Sequence, residues 1–221
     1  MDKRKTISVA PSILSADFGH LMDDIKKVES EADFLHIDVM DGHYVPNISF
    51  GIPIIRSIRP NTDLIFDVHL MITNPLDYLE AFAAAGSDII TFHVETVDDP
   101  ADVIRRIHAL GRKAGISIHP DTDIHAIFPF LSDLDLVLIM SVYPGFGGQS
   151  FLPDALGRIR AVREALDAIG SNAILSVDGG IAERTAPSVM EAGATLLVTG
   201  NAVFGDKDPA EAIRRIKECA G

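Results

Sequence analysis

Eight short runs dominated by β-branched and other apolar residues recur along the chain, and most are followed by longer stretches whose apolar positions return every three or four residues. The runs are 6–13 (TISVAPSI), 33–39 (DFLHIDV), 64–70 (LIFDVHL), 88–94 (DIITFHV), 114–120 (AGISIHP), 135–141 (DLVLIMS), 173–179 (AILSVDG) and 195–201 (TLLVTGN). Their length and composition predict strands. The stretches 18–31, 75–86, 101–111, 153–170 and 209–221 carry helical spacing, and several stop at Gly, where helices commonly end. No Pro/Ser-rich linker or block of like charge interrupts the alternation, so residues 1–221 are expected to form one domain. A βα unit repeated about eight times in roughly 200 to 250 residues is the arithmetic of an α/β fold closed as a (β/α)8 barrel. A doubly wound sheet is the competing arrangement, because strand order is not written in one sequence.

Each predicted strand is apolar over most of its length and turns polar or glycine-rich near its C-terminal end. Those ends carry Ser12, His36 with Asp38, His69, His93, His119, Ser141, Asp178, and Thr199 followed by Gly200. Any one of them alone is ordinarily a polar group satisfying a loop. In a closed parallel barrel they converge on one rim, the side on which such barrels carry chemistry, and this favours an enzyme over a binding scaffold.

Composition narrows the partners. With 19 Lys+Arg against 32 Asp+Glu the net charge is −13, a field that repels polyphosphate backbones and argues against nucleic acid. Hydrophobic residues make up 47% of the chain, enough for a large core. No apolar stretch approaches the roughly 18–20 residues that span a bilayer, and the basic N-terminal segment has no convincing cleavage site. A cytoplasmic protein without a membrane partner is therefore expected. The one cysteine, Cys219, leaves no intramolecular disulfide and no cysteine-based metal site, so any metal must use His and carboxylates.

His36 and Asp38 stand two apart on one strand and leave the same face. With His69 and Asp178 at the ends of two other strands they make a His2Asp2 set drawn from three strands. That mixture of imidazole and carboxylate suits one divalent ion per subunit, Zn, Fe, Mn or Co, better than an all-oxygen Mg or Ca site. Two carboxylates with no Lys or Arg at these strand ends need a cation to offset their burial. Such a pair can invert a carbon acid beside a carbonyl. One Asp removes the proton, the ion stabilises the enediolate as a Lewis acid, and the other Asp returns a proton to the opposite face. Asp67 shares the face of His69 and is expected to orient a ligand from behind. Asp41 is expected to organise a turn and Asp17 to cap the following helix. His43, His93 and Glu95 read as rim or loop groups with at most a minor part in substrate binding, and 205–209 as a solvated loop.

Glycines follow the sixth, seventh and eighth predicted strands in VYPGFGGQSF (142–151), SVDGGI (176–181) and VTGNAVFG (198–205). Any single glycine is explained by the turn it makes. Three successive loops of this kind let backbone N–H groups point into one concavity and hold an anion, at the place where barrels commonly bind phosphate. A chain of strongly negative net charge can hold a small phosphoester in this way.

The segments APSILSADF (10–18), HIDVMDGHYVPNISFG (36–51), DVHLMITNP (67–75), PGFGGQSF (144–151), VDGGI (177–181) and TGNAVF (199–204) together resemble the ribulose-phosphate 3-epimerase family. Its members interconvert ribulose 5-phosphate and xylulose 5-phosphate by inverting C3. The resemblance implies a (β/α)8 barrel, a phosphosugar substrate and a homo-oligomer. It places metal ligands at His36, Asp38, His69 and Asp178, with Asp38 and Asp178 also the acid/base pair. Sugar and phosphate contacts are implied at Ser12, His69, Gly145, Phe146, Gly147, Gly148, Gly179, Gly180, Gly200 and Asn201, and Met40, Met71 and Met140 match the family's methionines over the site. His119, Tyr143 and Asn201 depart from the usual pattern. None belongs to the ligand set, but they bear on pocket shape, so D-allulose 6-phosphate stands as an alternative substrate and a non-catalytic phosphosugar-binding barrel as a further alternative. A lyase on the same barrel typically needs a strand-end Lys, whereas Lys113 precedes the fifth predicted strand. The 142–151 loop is the expected cover over bound substrate.

Overall fold

The computed structural model describes residues 7–219. The strands are β1 (Ser8–Pro11), β2 (Phe34–Met40), β3 (Ile65–Met71), β4 (Ile89–His93), β5 (Lys113–Ile118), β6 (Leu136–Met140), β7 (Ile174–Asp178) and β8 (Leu196–Thr199). Each overlaps one predicted run; Thr6 of the first run, and residues 220–221 of the last helical stretch, lie outside the described residues. All paired neighbours are parallel, in the order β1-β8-β7-β6-β5-β4-β3-β2. The seam between β1 and β2 carries a single parallel bridge, Ser12 to His36, and the Asp33 N–H donates to the Val9 carbonyl at 3.2 Å. The result is a nearly closed barrel with sequential strand order, which excludes the doubly wound sheet with its reversal of order.

Helices α1 (Leu21–Val28), α2 (Ile52–Ile58), α3 (Leu79–Ala85), α4 (Pro100–Ala109), α5 (Ala155–Ala168), α6 (Ala186–Glu191), α7 (Asn201–Phe204) and α8 (Pro209–Glu218) alternate with the strands. Between β5 and β6 the chain instead forms a ten-residue 3-10 segment, Ile124–Asp133, which contains Pro129. Helix starts follow side-chain chemistry. Asp99 and Asp208 accept the Asp102 and Glu211 N–H groups at 3.2 and 3.1 Å, caps worth about 1 kcal/mol each. Asp17 accepts the Gly19 N–H at 2.9 Å, and Asp41 closes its turn by accepting from His43 and Tyr44 at 2.8 and 2.9 Å. The 205–209 stretch is more than a solvated loop, since Asp208 caps α8 and Asp206 pairs with Arg215 at 2.6 Å.

Strand side chains alternate between two cores. Outward residues such as Leu35, Ile37, Phe66, Val68, Val137 and Leu197 pack beneath the helices. Inward residues such as Ala10, Phe34, Ile89, Leu136, Leu138 and Leu196 fill the barrel. Toward the C-terminal rim the inward positions turn polar, with His36, Asp38, Asp67, His69, Thr91 and His93 all buried. Gly115 is required in this layer, because a Cβ there would collide with the Thr91 hydroxyl. Lys113 opens β5 at the opposite end of the barrel and is exposed. Among the described residues, no helix is long and apolar enough to cross a membrane.

Candidate metal and proton-transfer site

The inward face of β2 carries His36 and Asp38, β3 carries His69, and β7 ends in Asp178. One donor atom from each of the four lies within 4.8 Å of the others. His36 Nδ1 is 2.9 Å from Asp67 Oδ2, and the other Asp67 oxygen accepts the Thr91 hydroxyl at 3.0 Å. A carboxylate only accepts, so the imidazole donates through Nδ1 and turns Nε2 toward the cluster, as expected for Asp67 acting from behind. Nε2 is buried, lies 3.3 Å from Asp38 Oδ1 and has no hydrogen-bond partner. His69 Nδ1 approaches the same Asp38 oxygen at 3.1 Å, while the Ser12 hydroxyl donates to Asp38 Oδ2 at 2.6 Å.

Charge is distributed unevenly over this cluster. Burial alone would lower the His36 pKa, but the Asp38 and Asp67 charges outweigh it and hold the group well above the usual imidazole value. Burial pushes Asp38 up, and the attraction of His36 and His69 overcomes this to hold the carboxyl well below the ordinary range. Asp178 goes the other way: burial, and then the charge of Asp38, push it up to about 6, with His36 and His69 offsetting part of the rise. Two carboxyls in one site therefore have opposite proton affinities.

These residues fit a divalent cation. A buried imidazole nitrogen without a partner, a carboxylate oxygen facing two imidazoles and a second carboxyl destabilised by the first would all be relieved by one positive charge at the centre.

Above the cluster opens a cavity of about 210 Å³, room for a small molecule and not for a polymer. Ser12, Asp38, Gly145, Phe146, Gly148, Asp178, Gly179, Gly180, Gly200 and Asn201 line it, as do Met40, Met71 and Met140. His36 and His69 are fully buried and do not reach its wall. Gly147 is also off the wall, where a side chain would meet Ser15 and Asn201. Gly179 and Gly180 have φ of 123° and 64°, and a Cβ at either would strike Val142 or Phe151, so the loop after β7 meets the cavity with bare backbone.

The 142–151 loop is tied down from both sides. The Asn47 amide donates to the Gly145 carbonyl at 2.8 Å, and the Gln149 amide donates to Tyr143 and Phe146 carbonyls at 2.6 and 2.9 Å. The Tyr143 hydroxyl donates to Asp121 at 3.0 Å, and its ring lies 5.4 Å from that of His119. Neither Tyr143 nor His119 lines the cavity, so Asn201 is the one departure from the family pattern that does. His43 is exposed and bonded to its own turn through the Asp41 carbonyl at 2.9 Å. Sequence reasoning missed Arg184 and Gln149 on the wall; Arg184 is the only Lys or Arg among the lining residues, and in sequence it looks like any loop cation.

The description "Ribulose-phosphate 3 epimerase family" belongs to the family profile that matches residues 8–204. The chain is 50% identical over 213 residues to the ribulose-phosphate 3-epimerase of Bacillus subtilis (strain 168), covering 96% of this chain and 98% of that one. It is 46% identical over 213 residues to the protein of the same name from Mycobacterium tuberculosis (strain ATCC 25618 / H37Rv), covering 96% and 93%. A solved 3-hexulose-6-phosphate synthase superposes with a TM-score of 0.67 at 20% identity, over 98% of this chain and 100% of that one, a likeness of fold.

Proposed function

The chain belongs to the ribulose-phosphate 3-epimerase family, and we propose from that premise how it inverts C3 of D-ribulose 5-phosphate, reversibly, to give D-xylulose 5-phosphate. The observation that carries the reading is the convergence of Asp38 and Asp178 with His36 and His69, their donor atoms within 4.8 Å of one another, beneath a cavity that both carboxyls line. C3 lies beside the C2 carbonyl and is a carbon acid. In one direction the ionised Asp38 takes the C3 proton, and Ser12, bonded to Oδ2 at 2.6 Å, keeps that carboxylate oriented. The protonated Asp178 then delivers its proton to the opposite face of C3, and in reverse the two exchange roles. Positioned proton transfer of this kind contributes about 10²–10⁴-fold.

A divalent cation held by His36, Asp38, His69 and Asp178 supplies, when bound, Lewis-acid stabilisation for the enediolate charge. Zn, Fe, Mn and Co are the candidates on donor chemistry. The phosphate is received by the backbone of Gly145, Phe146 and Gly148, of Gly179 and Gly180, and of Gly200 and Asn201, which line the cavity; Gly147 lies off it. At the start of α7, Asn201 and Ala202 also line the cavity, and their N–H groups would add donors for the same anion. Arg184 adds the one full positive charge on the wall. The same reading carries a homo-oligomer in the cytoplasm, which sedimentation of the purified protein and cell fractionation check.

Asn201 on the cavity wall keeps D-allulose 6-phosphate as the second substrate reading. The deciding experiment measures C3 epimerisation of both ketose phosphates by metal-analysed protein before and after a chelator. Fast, chelator-sensitive turnover of the pentose phosphate is expected. Preference for the hexose phosphate would transfer the mechanism to that substrate, and binding without turnover of either would make the barrel a phosphosugar sensor.

A further inference from the structure

His93 is fully buried on β4, outside the four-donor cluster, and its two ring nitrogens face different neighbours. Nε2 lies 2.9 Å from His69 Nε2. Nδ1 lies 2.9 Å from the Tyr44 hydroxyl and 3.2 Å from Glu95 Oε2, and Tyr44 in turn donates to Glu95 Oε2 at 3.3 Å. The remaining Glu95 oxygen accepts the His119 N–H at 2.8 Å. The chain of contacts thus starts at His69, passes outward through His93 and Tyr44, and ends on an anchored carboxylate at the rim.

One proton must occupy the contact between the two Nε2 atoms, because two lone pairs facing each other repel. If it sits on His69 Nε2, His93 is neutral with its own proton on Nδ1. Each group then donates to the next: His69 to His93, His93 to Tyr44, Tyr44 to Glu95. If the proton sits on His93 Nε2 instead, His93 Nδ1 becomes a lone pair facing the Glu95 oxygen, and Tyr44 must donate to one of the two and leave them repelling. That arrangement also moves the His69 proton to Nδ1, on the side of Asp38. There Asp38 Oδ1, 3.1 Å away, would accept it, so Asp38 and Glu95 pull the proton in opposite directions; once a cation occupies His69 Nδ1 that position is closed to the proton, and the acceptor-only Glu95 at the far end selects the first arrangement.

We propose that His93, fixed in its Nδ1–H form by Tyr44 and Glu95, is a positioning residue that keeps the His69 proton on Nε2 and leaves His69 Nδ1 free as a donor atom for the cation. The proposal rests on the reading of His69 as a metal ligand. Asp67 performs the corresponding task for His36, so each imidazole of the set is aimed by a partner behind it.

The test measures Zn²⁺ affinity of the full-length protein by competition with a chromophoric chelator, for wild type, His69→Ala, His93→Phe and His93→Gln, together with ring-nitrogen NMR of the zinc-loaded wild type. His69→Ala is expected to remove tight binding. His93→Phe fills the volume without an acceptor and should weaken binding about 10–100-fold, the range for lost outer partners of metal ligands. His93→Gln, whose side-chain oxygen can still accept from His69 Nε2–H, should recover much of that loss, which a merely space-filling role would not produce. Wild-type spectra should show His93 protonated on Nδ1. If His69→Ala binds zinc like wild type, the ligand reading fails and the proposal with it. If His69→Ala loses zinc but His93→Phe stays within about twofold of wild type, the ligand reading stands and the positioning role is overturned. Should His93→Phe not fold, His93 protonated on Nε2 in the wild-type spectra would overturn the proposal by itself.

Discussion

The donor oxygens of Asp38 on β2 and Asp178 on β7 lie within 4.8 Å of each other, yet Asp38 is held well below the ordinary carboxyl range and Asp178 is pushed up to about 6. Desolvation acts on both. Asp38 has the direct compensating contacts, two imidazole nitrogens against Oδ1 and the Ser12 hydroxyl on Oδ2, whereas His36 and His69 offset only part of the rise at Asp178. Once Asp38 is ionised, its charge makes the second ionisation harder, and that asymmetry leaves the cavity with one carboxyl of lowered and one of raised proton affinity.

The asymmetry sets a pH dependence for cation binding. His36, held well above its usual value, must give up a proton to bind an ion, and a proton on Asp178, whose pKa is pushed up to about 6, weakens that carboxyl's hold on the ion. Lowering the pH through about 6 refills Asp178 and weakens the affinity; raising it strengthens binding. Chelator-competition titrations of Zn²⁺ or Mn²⁺ between pH 5 and 8 should show this, with proton release detected by calorimetry in buffers of different ionisation enthalpy.

Gly115 holds the site from a distance. A Cβ at this position would displace Thr91, whose hydroxyl donates to Asp67, which in turn aims His36. Gly115→Ala should cost about 1–3 kcal/mol of stability, the usual range for overpacking a tight core, and should weaken cation affinity as well. Gly157, inside α5 with open space around it, is the control: Gly157→Ala should stabilise by roughly 0.5–1 kcal/mol on helix propensity and leave affinity unchanged. Thermal melts and metal competition on both variants separate the two effects.

Arg184 lines the cavity, and in the proposed reading it supplies charge to the phosphate and no group to the chemistry. Arg184→Gln is expected to raise KM for the phosphosugar severalfold with kcat within about twofold, and to flatten the dependence of KM on ionic strength, since an exposed charge contact is screened by salt. Arg184→Lys should recover most of the loss. Steady-state kinetics across a salt series measure all three.

The strands and the four-residue cluster were legible because both depend on local regularities. Inward residues recur every second position, so His36 and Asp38 declared a shared face, and the strand ends declared a shared rim once the barrel was inferred. Asp67 could be read as a partner of a ligand for the same reason. Helix α2 begins with Pro53 in its first turn, and the 3-10 segment around Pro129 follows no helical period, so neither stood out. In sequence His93 and Glu95 look like rim groups, because the contact between His69 and His93 joins two strands at a register that no single-strand pattern contains. Arg184 was missed for a related reason: only the folding of the loop after β7 over the cavity distinguishes it from a surface cation.

The central claim is inversion at C3 by two carboxyls, and its most direct test is epimerisation of D-ribulose 5-phosphate in D2O followed by proton NMR. Product is expected to form with deuterium at C3, and Asp38→Asn and Asp178→Asn are each expected to reduce turnover by at least about 10²-fold. Xylulose 5-phosphate formed with its original C3 proton retained, or either variant turning over at the wild-type rate, would contradict it.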